Sequence, residues 1–91
     1  MEIQNSQKII SQKEVSIDSL DLVYTLFQSK AKRSGRYIYS VEVSVTSDGE
    51  TESNFVFDIT RIKTRANEIF KTLVYSAVTP CTLTDVLEDI L

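Results

Sequence analysis

The fold turns on residues 36–60, RYIYSVEVSVTSDGETESNFVFDIT. Two alternating runs flank an Asp48-Gly49 pair, a strong short-range signal for a β-hairpin. In the first run Tyr37, Tyr39, Val41, Val43 and Val45 share one face, with Ile38, Ser40, Glu42 and Ser44 on the other. In the second, from Glu50 to Ile59, one face holds Ser53, Phe55, Phe57 and Ile59. The register between them depends on the turn. A two-residue turn at Asp48-Gly49 pairs Val43 with Asn54 and sets an apolar face beside a polar one. A three-residue loop, Ser47-Asp48-Gly49, with Gly49 left-handed in a bulge, pairs Val41 with Phe55, Tyr39 with Phe57 and Tyr37 with Ile59. Hydrophobic matching favours the three-residue loop and assigns both tyrosines to the core.

Working toward the N-terminus, Leu20 to Gln28 alternates again. Leu20, Leu22, Tyr24 and Leu26 oppose Val23, Thr25 and Phe27, which is the period of a strand. Ser29 to Gly35 is polar, ends in glycine and reads as a hairpin loop. Residues 8–17 are β-branched but alternate weakly, so the sheet has three strands, or four if this segment pairs. Residues 1–7 are expected to be frayed.

Beyond Thr60, read as an N-cap, the period becomes helical. Ile62, Ala66, Ile69, Phe70, Leu73, Val74 and Ala77 form one stripe about four turns long. Pro80 forces Thr79 out of helical geometry and ends the helix. Thr82-Leu-Thr-Asp85 then resembles a capping box, and Leu83, Val86, Leu87, Ile90 and Leu91 give a second stripe. The predicted fold class is α+β: an antiparallel meander followed by two C-terminal helices, the first covering the sheet face that carries the tyrosines and phenylalanines.

Ninety-one residues without a repeat or a Gly/Ser/Pro linker make one small domain, 1–91. The apolar share of 42% suits a packed core, and no apolar run approaches the roughly 20 residues of a membrane span. The first residues lack the features of a secretory signal, so a cytoplasmic setting is expected. A single cysteine forms no internal disulfide, and the absence of histidine removes the commonest metal ligand and neutral-pH base.

The order Asp58-Ile59-Thr60, an amphipathic helix, Val78-Thr79-Pro80 and then Leu83-x-Asp85-Val86-Leu87-Glu88-Asp89-x-Leu91 resembles a family of small uncharacterised bacterial proteins, a domain of unknown function found mainly in clostridia and related Firmicutes. Tyr24 and Tyr39-Ser40-Val41 extend the resemblance to about two-thirds of the chain. Two positions depart from it: Thr82 stands where members often carry histidine, and Ser40 where they often carry glycine. The resemblance implies a shared small domain in a bacterial cytoplasm and supplies no activity.

Four groups of residues could carry function. Asp85, Glu88 and Asp89 share a helix face by their spacing, but they match no EF-hand pattern and read as a solvated face. Cys81 precedes a helix start, where a thiolate is favoured, yet with no histidine to pair with it reads as a small half-buried residue. No catalytic residue, cofactor or metal site is assigned, and the chain is read as a non-enzyme.

The basic residues are more informative. Of the ten Lys and Arg, seven fall in two windows: Lys30, Lys32, Arg33 and Arg36 around the first loop, and Arg61, Lys63 and Arg65 at the start of the long helix. A meander brings both windows to one rim, where they could bind an anion or a nucleic-acid backbone; a solvated rim is the plainer reading. The net charge of −3 argues against broad nucleic-acid affinity. On the sheet face away from the helix, Val23, Phe27, Ile38 and Val56 form an apolar patch suited to a protein partner or a second copy, unless Ile9, Ile10 and Val15 cover it or add an edge strand. The leading expectation is a small noncatalytic interaction module acting through this outer face or a sheet edge, with anion or nucleic-acid binding by the rim as the alternative.

Overall fold

The computed structural model of the protein describes residues 7–91. Four antiparallel strands, β1 (Lys8–Ile17), β2 (Leu20–Lys30), β3 (Tyr37–Ser47) and β4 (Glu50–Thr60), form one sheet in the order β1-β2-β3-β4, followed by helices α1 (Lys63–Tyr75) and α2 (Leu83–Ile90). The fold is α+β with a four-stranded sheet. Of the segment expected to fray, residues 1–6 lie outside the described residues, and Gln7 is exposed and belongs to no element.

Residues 8–17 are an edge strand. A two-residue turn, Asp18-Ser19, pairs Ile17 with Leu20 and Val15 with Leu22, and Asp18 takes φ 54°. The register slips between Ile9 and Ser11, so Ile9 faces Phe27 whereas Ile10 packs against the core. That bulge explains two adjacent isoleucines and the weak alternation of the segment.

The register of β3 with β4 differs from the three-residue-loop expectation. Ser47 pairs with Glu50 across a two-residue turn in which Asp48 has φ 53° and Gly49 φ 79°. Two positive φ angles are the requirement of a type I′ turn, whose twist matches that of the strands, and Asp-Gly supplies both at little steric cost. Val43 therefore faces Asn54, and Val41 faces Val56. Phe55 and Phe57 are turned to the outer side, 41% and 58% exposed, and lie outside the core.

A second bulge returns β4 to the core. Val41 faces Val56 but Tyr39 faces Thr60, so β4 spends four residues where β3 spends two. Asp58 sits in this bulge at φ 60°, its N–H donating to the fully buried Ser40 Oγ at 3.0 Å. The hydroxyl satisfies an amide that the ladder has released, and Ile59 regains the interior at 6% exposure. Tyr37, expected in the core, is 49% exposed at the rim, while Tyr39 is buried and its hydroxyl accepts from Gln28 Nε2 at 2.9 Å.

The core joins Leu22, Tyr24, Leu26, Tyr39, Val41, Val43 and Ile59 of the sheet to Ala66, Ile69, Phe70 and Leu73 of α1 and Leu83 and Leu87 of α2. Each large aliphatic side chain fully buried here contributes roughly 1.5–3 kcal/mol. The start of α1 lies two residues past the expected cap. Its N-cap is Ile62, which is exposed and makes no side-chain cap bond; Thr60 instead accepts the Ile62 N–H at 3.2 Å.

At its other end α1 closes before the proline acts. Val78 N–H donates to Leu73 O and Ala77 N–H to Val74 O, both at 3.1 Å, and Ala77 takes φ 51°. This is a Schellman motif with alanine where glycine is usual. The capping box expected at Thr82 does not form. Thr82 makes no side-chain cap bond to α2, and its Oγ1 turns back to accept Thr79 N–H at 3.2 Å. Asn54, on the inner side of β4, donates to Pro80 O at 3.1 Å and ties this connection to the sheet.

Candidate interaction surface

The outer face of the sheet carries no member of the core cluster. Pairing fixes its composition. Ile9 faces Phe27, Phe27 faces Ser40, Glu42 faces Phe55, and Ile38 lies beside Ser29. The Phe27 and Phe55 rings meet edge to face with centroids 5.8 Å apart. Ile9 is 53% exposed and Phe57 58%, while Val23 and Phe27 are half-buried and Ile38 is buried within the face.

Val23, Phe27 and Ile38 thus lie on the expected surface, whereas Val56 does not. Paired with Val41, it points inward and packs against the core. The two-residue turn moves Val56 away and brings Phe55 and Phe57 out, which enlarges the apolar face. The β1 bulge adds Ile9. Ile10 and Val15 pack on the inner side, so β1 extends the sheet and leaves this face uncovered by those side chains.

The polar groups embedded in the face are satisfied within it. Thr25, 4% exposed, accepts from Gln12 Nε2 at 3.0 Å, and Ser40 accepts the bulge amide. The outer side therefore presents an apolar cluster, Ile9, Phe27, Ile38, Phe55 and Phe57, on the half nearer the β2–β3 loop, with Glu14 and Glu42 in the middle of the face and polar Ser16, Asp21, Thr46 and Thr51 toward the other end.

Both edges of the sheet are interrupted. β1 has its bulge and turns Lys13 to the inner side opposite Tyr24, and β4 has the Asp58 bulge beyond the acidic Glu50 and Glu52. Bulges and edge charges hinder a further strand from pairing there.

The basic windows lie at one end of the sheet, since Lys30 pairs with Tyr37 and Tyr39 with Thr60. Lys30, Lys32, Arg33, Arg36, Arg61, Lys63 and Arg65 are all exposed. Two of them are engaged. Arg61 Nη2 lies 3.1 Å from Asp58 Oδ2, and Arg65 reaches both Glu68 Oε1, at 3.6 Å, and the backbone carbonyl of Ile90. Arg65 thereby answers the negative end of the α2 dipole, a compensation the linear sequence conceals. The loop Ala31–Arg36 is closed by Ala31 N–H to Arg36 O at 2.7 Å and Gly35 N–H to Ala31 O at 2.9 Å, with Gly35 at φ 70°. Lys32 and Arg33 stand at its tip and form no ion pair among the described residues.

Cys81 is exposed, with Sγ 3.5 Å from Thr79 Oγ1. It lines an open groove of about 410 Å³ with Glu52, Ser53, Asn54 and Pro80, and among the described residues no cation lines that groove. Asp85, Glu88 and Asp89 are exposed on α2. Among the described residues no group of three His, Cys, Asp or Glu side chains is placed to hold a metal ion, and no helix is long and apolar enough to cross a membrane.

Residues 2–91 match the family described as "Family of unknown function (DUF6514)", and the chain belongs to that family. No curated protein and no solved structure matches it.

Proposed function

We propose that this member of a family of unknown function is a noncatalytic interaction module that self-associates through the outer face of its sheet. One observation carries the reading: the Phe27 and Phe55 ring pair stands beside exposed Phe57 and Ile9 on a face that the core does not use. Four strands about 4.8 Å apart and about 3.3 Å per residue make a face of about 19 Å by 36 Å. That is on the order of the 800 Å² per partner that a standard interface buries. The interrupted edges favour the face over strand addition. A cytoplasmic, bacterial setting accompanies the proposal, on the strength of the resemblance.

Sedimentation velocity over a micromolar concentration series tests it. Phe57→Asp puts a charge on the face at an exposed position, where folding tolerates it. A native dimer that Phe57→Asp converts to monomer supports the proposal. A native monomer throughout, or a dimer indifferent to Phe57→Asp, removes it.

Binding of a nucleic-acid backbone to the basic rim is the second reading, favoured by Lys32 and Arg33 at the loop tip. Titration of RNA and DNA against native protein and Lys32→Glu/Arg33→Glu decides it. Salt-sensitive binding that the variant abolishes would support the rim, and absent or salt-insensitive binding would dismiss it.

A further inference from the structure

The sheet is electrically bipolar along its strands. At one end stand Lys30, Lys32, Arg33 and Arg36, in and beside the loop that joins the two central strands. At the other, the turns at Asp18-Ser19 and Asp48-Gly49 hold Asp18 and Asp48, with Asp21 on the outer side and Glu50 and Glu52, which pair with Ser47 and Val45, toward the inner side. Neither residues 16–23 nor residues 44–54 include a Lys or Arg. The acidic side chains Glu88 and Asp89 belong to the helix layer, and Asp58 is occupied by Arg61.

We infer that two copies stack outer face to outer face with their strands running in opposite directions, so that the basic loop of each lies over the acidic end of the other. The inference rests on the self-association proposed above and specifies its geometry. A closed dimer has a two-fold axis. For two sheets face to face, that axis runs either along the strands or across them. Along the strands, it sets basic end on basic end and acidic on acidic. Across the strands, it reverses their direction and sets each end on its opposite.

Topology sharpens the fit. The cationic loop lies between β2 and β3, while the acidic turns lie between β1 and β2 and between β3 and β4. An axis across the strands keeps β1 over β1 and β4 over β4. Each cationic loop then falls between the two acidic turns of the other copy. Charge complementarity of this kind selects orientation, while Phe55, level with the middle of the strands, stays at the contact and Phe27 of each copy comes over Val23 of the other.

The salt dependence of the native dimer, with a pair of charge reversals, tests the arrangement by sedimentation. Opposed ends predict that the native dimer weakens as salt rises, and that Lys32→Glu/Arg33→Glu weakens it by about tenfold or more. Adding Asp21→Lys, an exposed position on the outer side of the acidic end, to the same chain gives the reversed loop a cation to face and recovers part of the dimer. Circular dichroism checks the fold of each variant, and the salt series needs no variant at all.

A dimer that tightens with salt, or that holds equally well in all three proteins, overturns the opposed arrangement. If Phe57→Asp still dissolves that dimer, the outer-face reading survives. A protein monomeric at every concentration and salt overturns both.

Discussion

The hydroxyl of Tyr24, on the central strand β2, donates to the backbone carbonyl of Val78 at 2.9 Å in the core, joining sheet to helix connection across 54 residues. Val78 is the residue whose N–H closes the Schellman motif of α1, so one peptide neighbourhood terminates the helix and anchors it to the sheet. Tyr24 is 1% exposed and Val78 4%. Tyr24→Phe keeps the ring and strands the carbonyl, and the expected loss is about 1–3 kcal/mol by urea denaturation.

The same hydroxyl gives the fold an alkaline sensitivity. Burial pushes the Tyr24 pKa above its ordinary value of 10.0. A raised folded-state pKa means that the contribution is complete below pH 10.0 and declines as pH rises toward and through the higher folded value. Stability measured across that range should fall more steeply for the native protein than for Tyr24→Phe, because the difference isolates this one phenol from the other titrating groups.

Ala77 occupies a left-handed position, φ 51°, that glycine fills without a Cβ penalty. Ala77→Gly should raise stability by about half a kcal/mol, the conformational gain being partly offset by the loss of a half-buried methyl group. Ala77→Val, β-branched at the same φ, should lower it by about 1–2 kcal/mol. Thermal denaturation of the two variants reads both signs.

Asn54 distinguishes the two registers of the β3–β4 hairpin. Inward-facing, it donates to Pro80 O, and Asn54→Ala should cost about 1 kcal/mol in urea denaturation. With a three-residue loop it would face outward without that partner, and the substitution would be close to neutral.

The strands β2 to β4 and both helices are legible from periodicity alone, because each buries one face and the period of that face reports the element. The register is not, and the reason is particular. Phe55, Phe57 and Ile59 alternate as if they shared a face, but the bulge at Asp58 separates Ile59 from the two phenylalanines. Hydrophobic matching over the whole strand therefore favours the longer loop, whereas Asp48-Gly49 fits the two-residue turn that forms. Giving the turn chemistry precedence over the apolar count would have turned Phe55 and Phe57 outward.

The candidate surface shares that history. Val23, Phe27 and Ile38 follow from the phase of β2 and β3, which no bulge disturbs. Val56 is misplaced with its strand, and Ile9 is hidden by a bulge within a segment whose pattern is weak. Arg65 is legible as a cation at a helix start, but its contact with the Ile90 carbonyl depends on how the two helices return past each other.

If two copies meet on the outer face, diluting isotope-labelled protein should move the chemical shifts of that face. The predicted result is concentration-dependent shifts gathered on Ile9, Val23, Phe27, Ile38, Phe55 and Phe57, with the exposed side of α2 unmoved. Shifts confined to α2 or to the strand edges, or spectra that do not change with concentration, would contradict it.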